Sequence, residues 1–119
     1  MTIVSQFLVT LVALEFFYIM YIETFATTSQ TTSRVFKMKA EELQRPSVQT
    51  LFKNQGIYNG LLGIALLYGA YLSEAPKEIT GLLLVYILLV AAYGSITSDR
   101  LIIIKQGGLA FIALITLFI

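Results

Sequence analysis

Lys53-Asn54-Gln55-Gly56-Ile57-Tyr58-Asn59-Gly60 gathers the side chains of this sequence best suited to hold a polar ligand. Lys53 offers a positive charge, Asn54, Gln55 and Asn59 offer amide donors and acceptors, and Tyr58 offers a hydroxyl. The run passes without a break into Leu61-Leu62-Gly63-Ile64-Ala65-Leu66-Leu67-Tyr68, so it opens an apolar helix. An amide buried there without a partner costs roughly 2–7 kcal/mol. Asn54 and Tyr58 are four apart, as are Gln55 and Asn59, so each pair shares a helix face. Gly56 and Gly60 form a small-xxx-small pair, which admits a second helix at close range. The pattern fits a helix contact joined by amides, and it equally fits a polar ligand site.

Two carboxyls stand in another apolar run. Glu15 lies ~18 Å along a helix counted from Ile3, near mid-bilayer if that helix spans a membrane. An acid at that depth is expensive and marks a functional site by default. Glu15, Tyr18, Ile22 and Glu23 follow i, i+3, i+7, i+8, which puts both acids on roughly one side. Glu15 is expected to carry a proton and to hydrogen-bond to Tyr58, Asn59 or another polar group of the second helix. Lys105 lies near a helix end and can snorkel to the interface, so it is expected to contact Glu23, a phosphate or a ligand anion.

There is no Cys and no His, which removes disulfides, thiol nucleophiles, imidazole bases and the usual zinc ligands. The seven acidic residues are scattered, and no metal site is expected.

The elements that must position these groups follow from composition. Of 119 residues, 57% are hydrophobic and 13% charged, far from a soluble domain. Uncharged runs near the length that crosses ~30 Å of hydrocarbon recur along the chain. The expected fold is therefore all-α, an integral membrane four-helix bundle in one transmembrane domain, with spans at 3–25, 46–72, 79–97 and 101–119. The first apolar run lacks the basic flank and cleavage site of a signal peptide, so it is expected to be retained as a span. A cytoplasmic loop at 26–45 holds the Ser/Thr-rich run 27–33, expected as loop, and the residues 35–43 of a short interfacial helix. Pro46 suits a first helical turn, and Asp99 or Ser98 suits the cap of the last helix.

Orientation follows from the cations. Seven of the eight Lys and Arg fall in the 26–53 segment or at Arg100 and Lys105, and Lys77 alone lies on the other side. The positive-inside rule then puts both termini outside a multi-pass plasma-membrane protein. Glu23, Asn54, Gln55, Asn59, Tyr93, Ser95, Lys105 and Gln106 would all lie in the cytoplasmic half. That distribution suggests a pocket open to the cytoplasm, since a through-channel needs polar groups along its whole length. The net charge of +1 provides no general attraction for nucleic acid.

Leu14-Glu15, Glu23-Thr24-Phe25, Asn54 to Gly60 and Gln106-Gly107-Gly108-Leu109-Ala110 resemble a family of small four-span bacterial membrane proteins known only as a domain of unknown function. The chain also resembles the membrane-associated eicosanoid and glutathione metabolism proteins. Lys53-Asn54 looks like the opening of their second helix, Tyr93 like the tyrosine of their third, and Arg100 like the arginine that follows. Gln106-Gly107-Gly108 looks like the start of their fourth helix. The resemblance implies a site for glutathione or a similar thiol between the subunits of a homotrimer, and, if the protein is an enzyme, Tyr93 or Arg100 as the candidate catalytic residue that activates the thiol of that cosubstrate. Ile57 stands where that superfamily usually has Glu, and the His often found before the Asn is absent.

Three functions are compatible with these residues. In the first, Lys53, Arg100 and Lys105 hold the anionic group of a small polar or amphipathic molecule, Asn54 and Gln106 orient it, and Gln55, Tyr58, Asn59 and Tyr93 complete the site. A single small bundle has little interior to spare, so such a site is expected between subunits of a homo-oligomer embedded in lipid, a trimer first. The second is a proton-coupled small-solute exporter that uses Glu15. The third is an accessory subunit whose polar residues only join helices.

Overall fold

The structure, a computed structural model, describes residues 1–98 and 102–119, with side chains at all of these except 102 and 103. Every regular element among the described residues is helical. Helix α1 spans Ile3–Met20 and runs directly into a π-helical turn at Tyr21–Phe25. Two short helices follow, α2 at Gln30–Phe36 and α3 at Ala40–Leu43. Helices α4 (Pro46–Tyr71) and α5 (Pro76–Thr97) are long, whereas α6 (Ile102–Lys105) and α7 (Gly107–Thr116) are short. Two segments, Ile3–Phe25 and Pro76–Thr97, are long and apolar enough to cross a membrane.

Proline sets two of the starts. Pro46 opens α4 and Pro76 opens α5, positions where a missing N–H costs nothing because the first turn has no intrahelical acceptor for it. Glu78 in the first turn of α5 complements the positive end of the helix dipole. These two features explain why α5 starts three residues before the expected Ile79.

The last apolar run departs from expectation in a different way. Expected as one helix over 101–119, it is interrupted at Gln106, between α6 and α7. Gly107 and Gly108 follow immediately, and glycine is about 1 kcal/mol less favourable than alanine inside a helix. Asp99 and Arg100 lie outside the described residues.

The chain divides into two compact units, 15–63 and 1–14 with 64–119. In the second of these, α5 packs against α6 and α7. Its core holds Val9, Val12, Leu66, Leu84, Ile87 and Leu117, with Ala70, Ala91, Ala110 and Ala113 as small contact residues. A Cβ on Gly69 would stand 2.8 Å from Ile79 Cγ2 and 3.1 Å from Thr80 Cγ2, so α4 and the start of α5 touch through a missing side chain. Polar ties join the helix ends of this unit. Ser5 Oγ donates to Thr116 Oγ1 at 2.9 Å, and Gln6 Nε2 donates to the Ala70 carbonyl at 3.0 Å. Thr10 and Tyr71 share a hydroxyl–hydroxyl bond of 2.7 Å.

In the 15–63 unit, Phe16, Ile19, Ile22 and Leu43 are buried, and α2 packs on the π-turn and on α3. Phe36 meets Phe52 edge to face, with ring centroids 5.1 Å apart.

A candidate site at the π-turn

The π-turn is built by the residues that follow it. A turn closed by i→i+5 bonds, here from the Ala26 N–H to the Tyr21 carbonyl, leaves neighbouring carbonyls without their usual partners. Hydroxyls supply them. Thr27 Oγ1 donates to the Glu23 carbonyl at 2.6 Å. Thr32 Oγ1 donates to the Ile22 and Ala26 carbonyls at 2.8 and 2.7 Å. Thr32 is held in place because α2 starts at Ser29, whose Oγ accepts the Thr32 N–H at 3.2 Å as an N-cap. The Ser/Thr-rich run expected as loop is thus helical from Gln30, and its hydroxyls cap the preceding helix. Lys37 closes α2 in the left-handed conformation at φ 54°, a position more often taken by Gly or Asn.

This turn presents Glu23 inward. Its side chain is wholly buried, and Asn59 Nδ2 donates to its Oε1 at 2.6 Å. Glu23 Oε2 is buried with no hydrogen-bond partner. Close approach of the two helix segments makes the pair possible. A Cβ on Gly56 would overlap Thr24 Oγ1 and lie 3.1 Å from Glu23 Cβ and 3.2 Å from the Met20 carbonyl. One turn later, a Cβ on Gly60 would overlap Met20 Sδ. Thr24 Oγ1 donates to the Lys53 carbonyl at 3.1 Å, a further tie along the same seam. The Gly56-xxx-Gly60 face, expected to admit a second helix at close range, is filled by the end of the chain's own first helix and the π-turn.

The expected partner of Asn59 is also corrected. Asn59 bonds to Glu23, not to Glu15. Glu15 is half-buried, and its Oε1 has no hydrogen-bond partner. Tyr58 cannot supply one, since it points outward with 76% of its surface exposed.

The other candidate residues fall into two groups. Lys53, Asn54, Gln55 and Tyr58 are exposed along α4 in the 15–63 unit, and none of the four side chains has a hydrogen bond among the described residues. Tyr93, Lys105 and Gln106 belong to the other unit. Tyr93 is exposed on α5, Lys105 is exposed at the end of α6, and Gln106 is half-buried at the helix break. Arg100 lies outside the described residues. No set of three or more His, Cys, Asp and Glu among the described residues could hold a metal ion. Sequence reasoning overlooked Thr24, Thr27 and Thr32. The available signal was spacing: Thr27 follows Glu23 by four, the separation at which a threonine hydroxyl reaches back to a carbonyl.

Comparison with known proteins gives a family without an assigned activity. Residues 10–118 match the family described as protein of unknown function (DUF1304). The chain is 66% identical over 118 residues to the uncharacterized protein YpaA of Lactococcus lactis subsp. lactis, covering 99% of both chains. No solved structure matches. The chain belongs to this family.

Proposed function

We propose that this member of the DUF1304 family is a four-span integral membrane protein that binds a small polar or amphipathic anionic molecule at the cytoplasmic ends of its helices. Both termini lie outside a plasma membrane, and the segment 26–45 lies inside. The architecture is like that of the membrane-associated eicosanoid and glutathione metabolism proteins. The protein is a homo-oligomer in the lipid bilayer, a trimer, with the ligand between subunits. Glutathione or a similar thiol is the ligand suggested by that likeness.

One observation carries the reading. Lys53, Asn54, Gln55 and Tyr58 all point outward from α4, and no hydrogen bond of the described chain satisfies them. Amides at the end of a spanning helix are costly against lipid. A polar ligand or a second subunit satisfies them, and Lys53 selects for negative charge. Asn54 orients the ligand in this reading. The test is thermal stability of the purified protein titrated with reduced glutathione and with inorganic phosphate. Binding at a hundred times Kd stabilises by about 2.7 kcal/mol, so a saturable rise in Tm is expected. Lys53→Ala should weaken it. No response to either anion would contradict the proposal.

A second reading, a proton-coupled exporter of small solutes, is favoured by Glu15, whose buried Oε1 has no partner. Glu15→Gln leaves anion binding nearly unchanged under the first reading. Loss of flux driven by a pH gradient in that variant would establish the second.

A further inference from the structure

We infer that Glu23 and Asn59 form a binding position for a primary ammonium group, carried by a small amine or by a lipid headgroup. This site is separate from the anion site proposed above and does not depend on it.

The inference starts from what Glu23 lacks. Its Oε1 is satisfied by Asn59, and its Oε2 is sealed from solvent with no partner at all. A proton on Oε2 would cancel the charge and leave an O–H donor with nothing to bond. Without the proton, a buried charge stands uncompensated, which costs more still. Either way one hydrogen-bonding position stays empty. A cation that also donates N–H bonds fills it and compensates the charge together. An ammonium group carries three such donors.

The surroundings supply acceptors for the remaining donors. With Nδ2 turned to Glu23, Asn59 has its Oδ1 left over, and Asn59 is only half-buried. Thr24 Oγ1 spends its proton on the Lys53 carbonyl and keeps lone pairs. Glu23 and Thr24 both sit against Gly56, one turn from Asn59 on α4, so these acceptors belong to one seam. The π-turn keeps them there, because the Thr27 and Thr32 hydroxyls hold its carbonyls. A quaternary ammonium has no N–H to offer, so it cannot satisfy Glu23 Oε2 in this way.

The experiment compares methylammonium, tetramethylammonium and sodium chlorides at equal concentration, with the full-length protein in phosphatidylcholine nanodiscs. Methylammonium should raise Tm with concentration and the other two should not. A parallel preparation in phosphatidylethanolamine nanodiscs separates the sources. A higher starting Tm with a blunted methylammonium response identifies the lipid headgroup, and an undiminished response identifies the free amine. Glu23→Gln should abolish the response, whereas Lys53→Ala should leave it standing even if anion binding fails. If Glu23→Gln does not fold, Asn59→Ala carries the test, since it removes the Oδ1 acceptor and should weaken the response several-fold. An equal effect of all three cations, an undiminished response in Glu23→Gln, or an unchanged one in Asn59→Ala would overturn the inference.

Discussion

Asn59 Nδ2 donates to Glu23 Oε1 across 2.6 Å and ties the middle of α4 to the π-turn that ends the first helix. It is the only hydrogen bond found for that buried carboxyl among the described residues, so it should matter for stability out of proportion to its length. Removing one partner of a buried pair costs about 1–3 kcal/mol, more when the partner left behind is charged. Asn59→Ala should therefore destabilise the protein by ~2 kcal/mol or more in reversible denaturation. Glu23→Gln keeps an acceptor at the same place and should cost less. Equal stability of Asn59→Ala and wild type would show that the pair is dispensable.

The glycines on α4 should rank by what their missing Cβ would meet. At Gly56 the obstacles include the Met20 carbonyl, which cannot move aside, so Gly56→Ala should cost about 1–3 kcal/mol as overpacking. At Gly60 the obstacle is the end of the flexible Met20 side chain, and the cost should be smaller. Gly108 in α7 has open space around it, and Gly108→Ala should be neutral or stabilising by up to ~1 kcal/mol. Tm values for the three variants check the order.

Thr32→Val tests the origin of the π-turn. It keeps the shape of the side chain and deletes the hydroxyl that serves the Ile22 and Ala26 carbonyls. A loss of about 1–2 kcal/mol is expected, with faster amide exchange at Ala26. Ser29→Ala removes the cap of α2 and should cost ~1 kcal/mol. Because Ser29 Oγ and Thr32 Oγ1 are bonded to each other at 3.0 Å, the double variant should lose less than the sum.

The helical character of the chain was readable from its long apolar runs and its two prolines. Pro46 marks the start of α4 both in sequence and in structure. Glu23 and Asn59 also stood out singly as polar groups in apolar surroundings, yet their pairing did not. Placing Glu15 and Glu23 on one face assumes 3.6 residues per turn throughout, and the π-turn at Tyr21–Phe25 breaks that count just where it matters. The Ser/Thr-rich run misled for a related reason. Those residues favour loops when their hydroxyls compete with the local backbone, but here Ser29 caps a helix and Thr32 serves carbonyls six and ten residues earlier. Such long-range partners leave no periodic trace.

The central claim is that the helices cross a membrane with the cationic 26–45 segment in the cytoplasm. The chain has no native Cys, so single cysteines report cleanly. Thr28 is exposed and caps nothing, which makes Thr28→Cys preferable to a change at the capping Ser29, and Glu74 is exposed in the turn between α4 and α5. With a membrane-impermeant maleimide on intact cells, Glu74→Cys should label at once, and Thr28→Cys only after the cells are opened. Labelling of both from the same side would contradict the account.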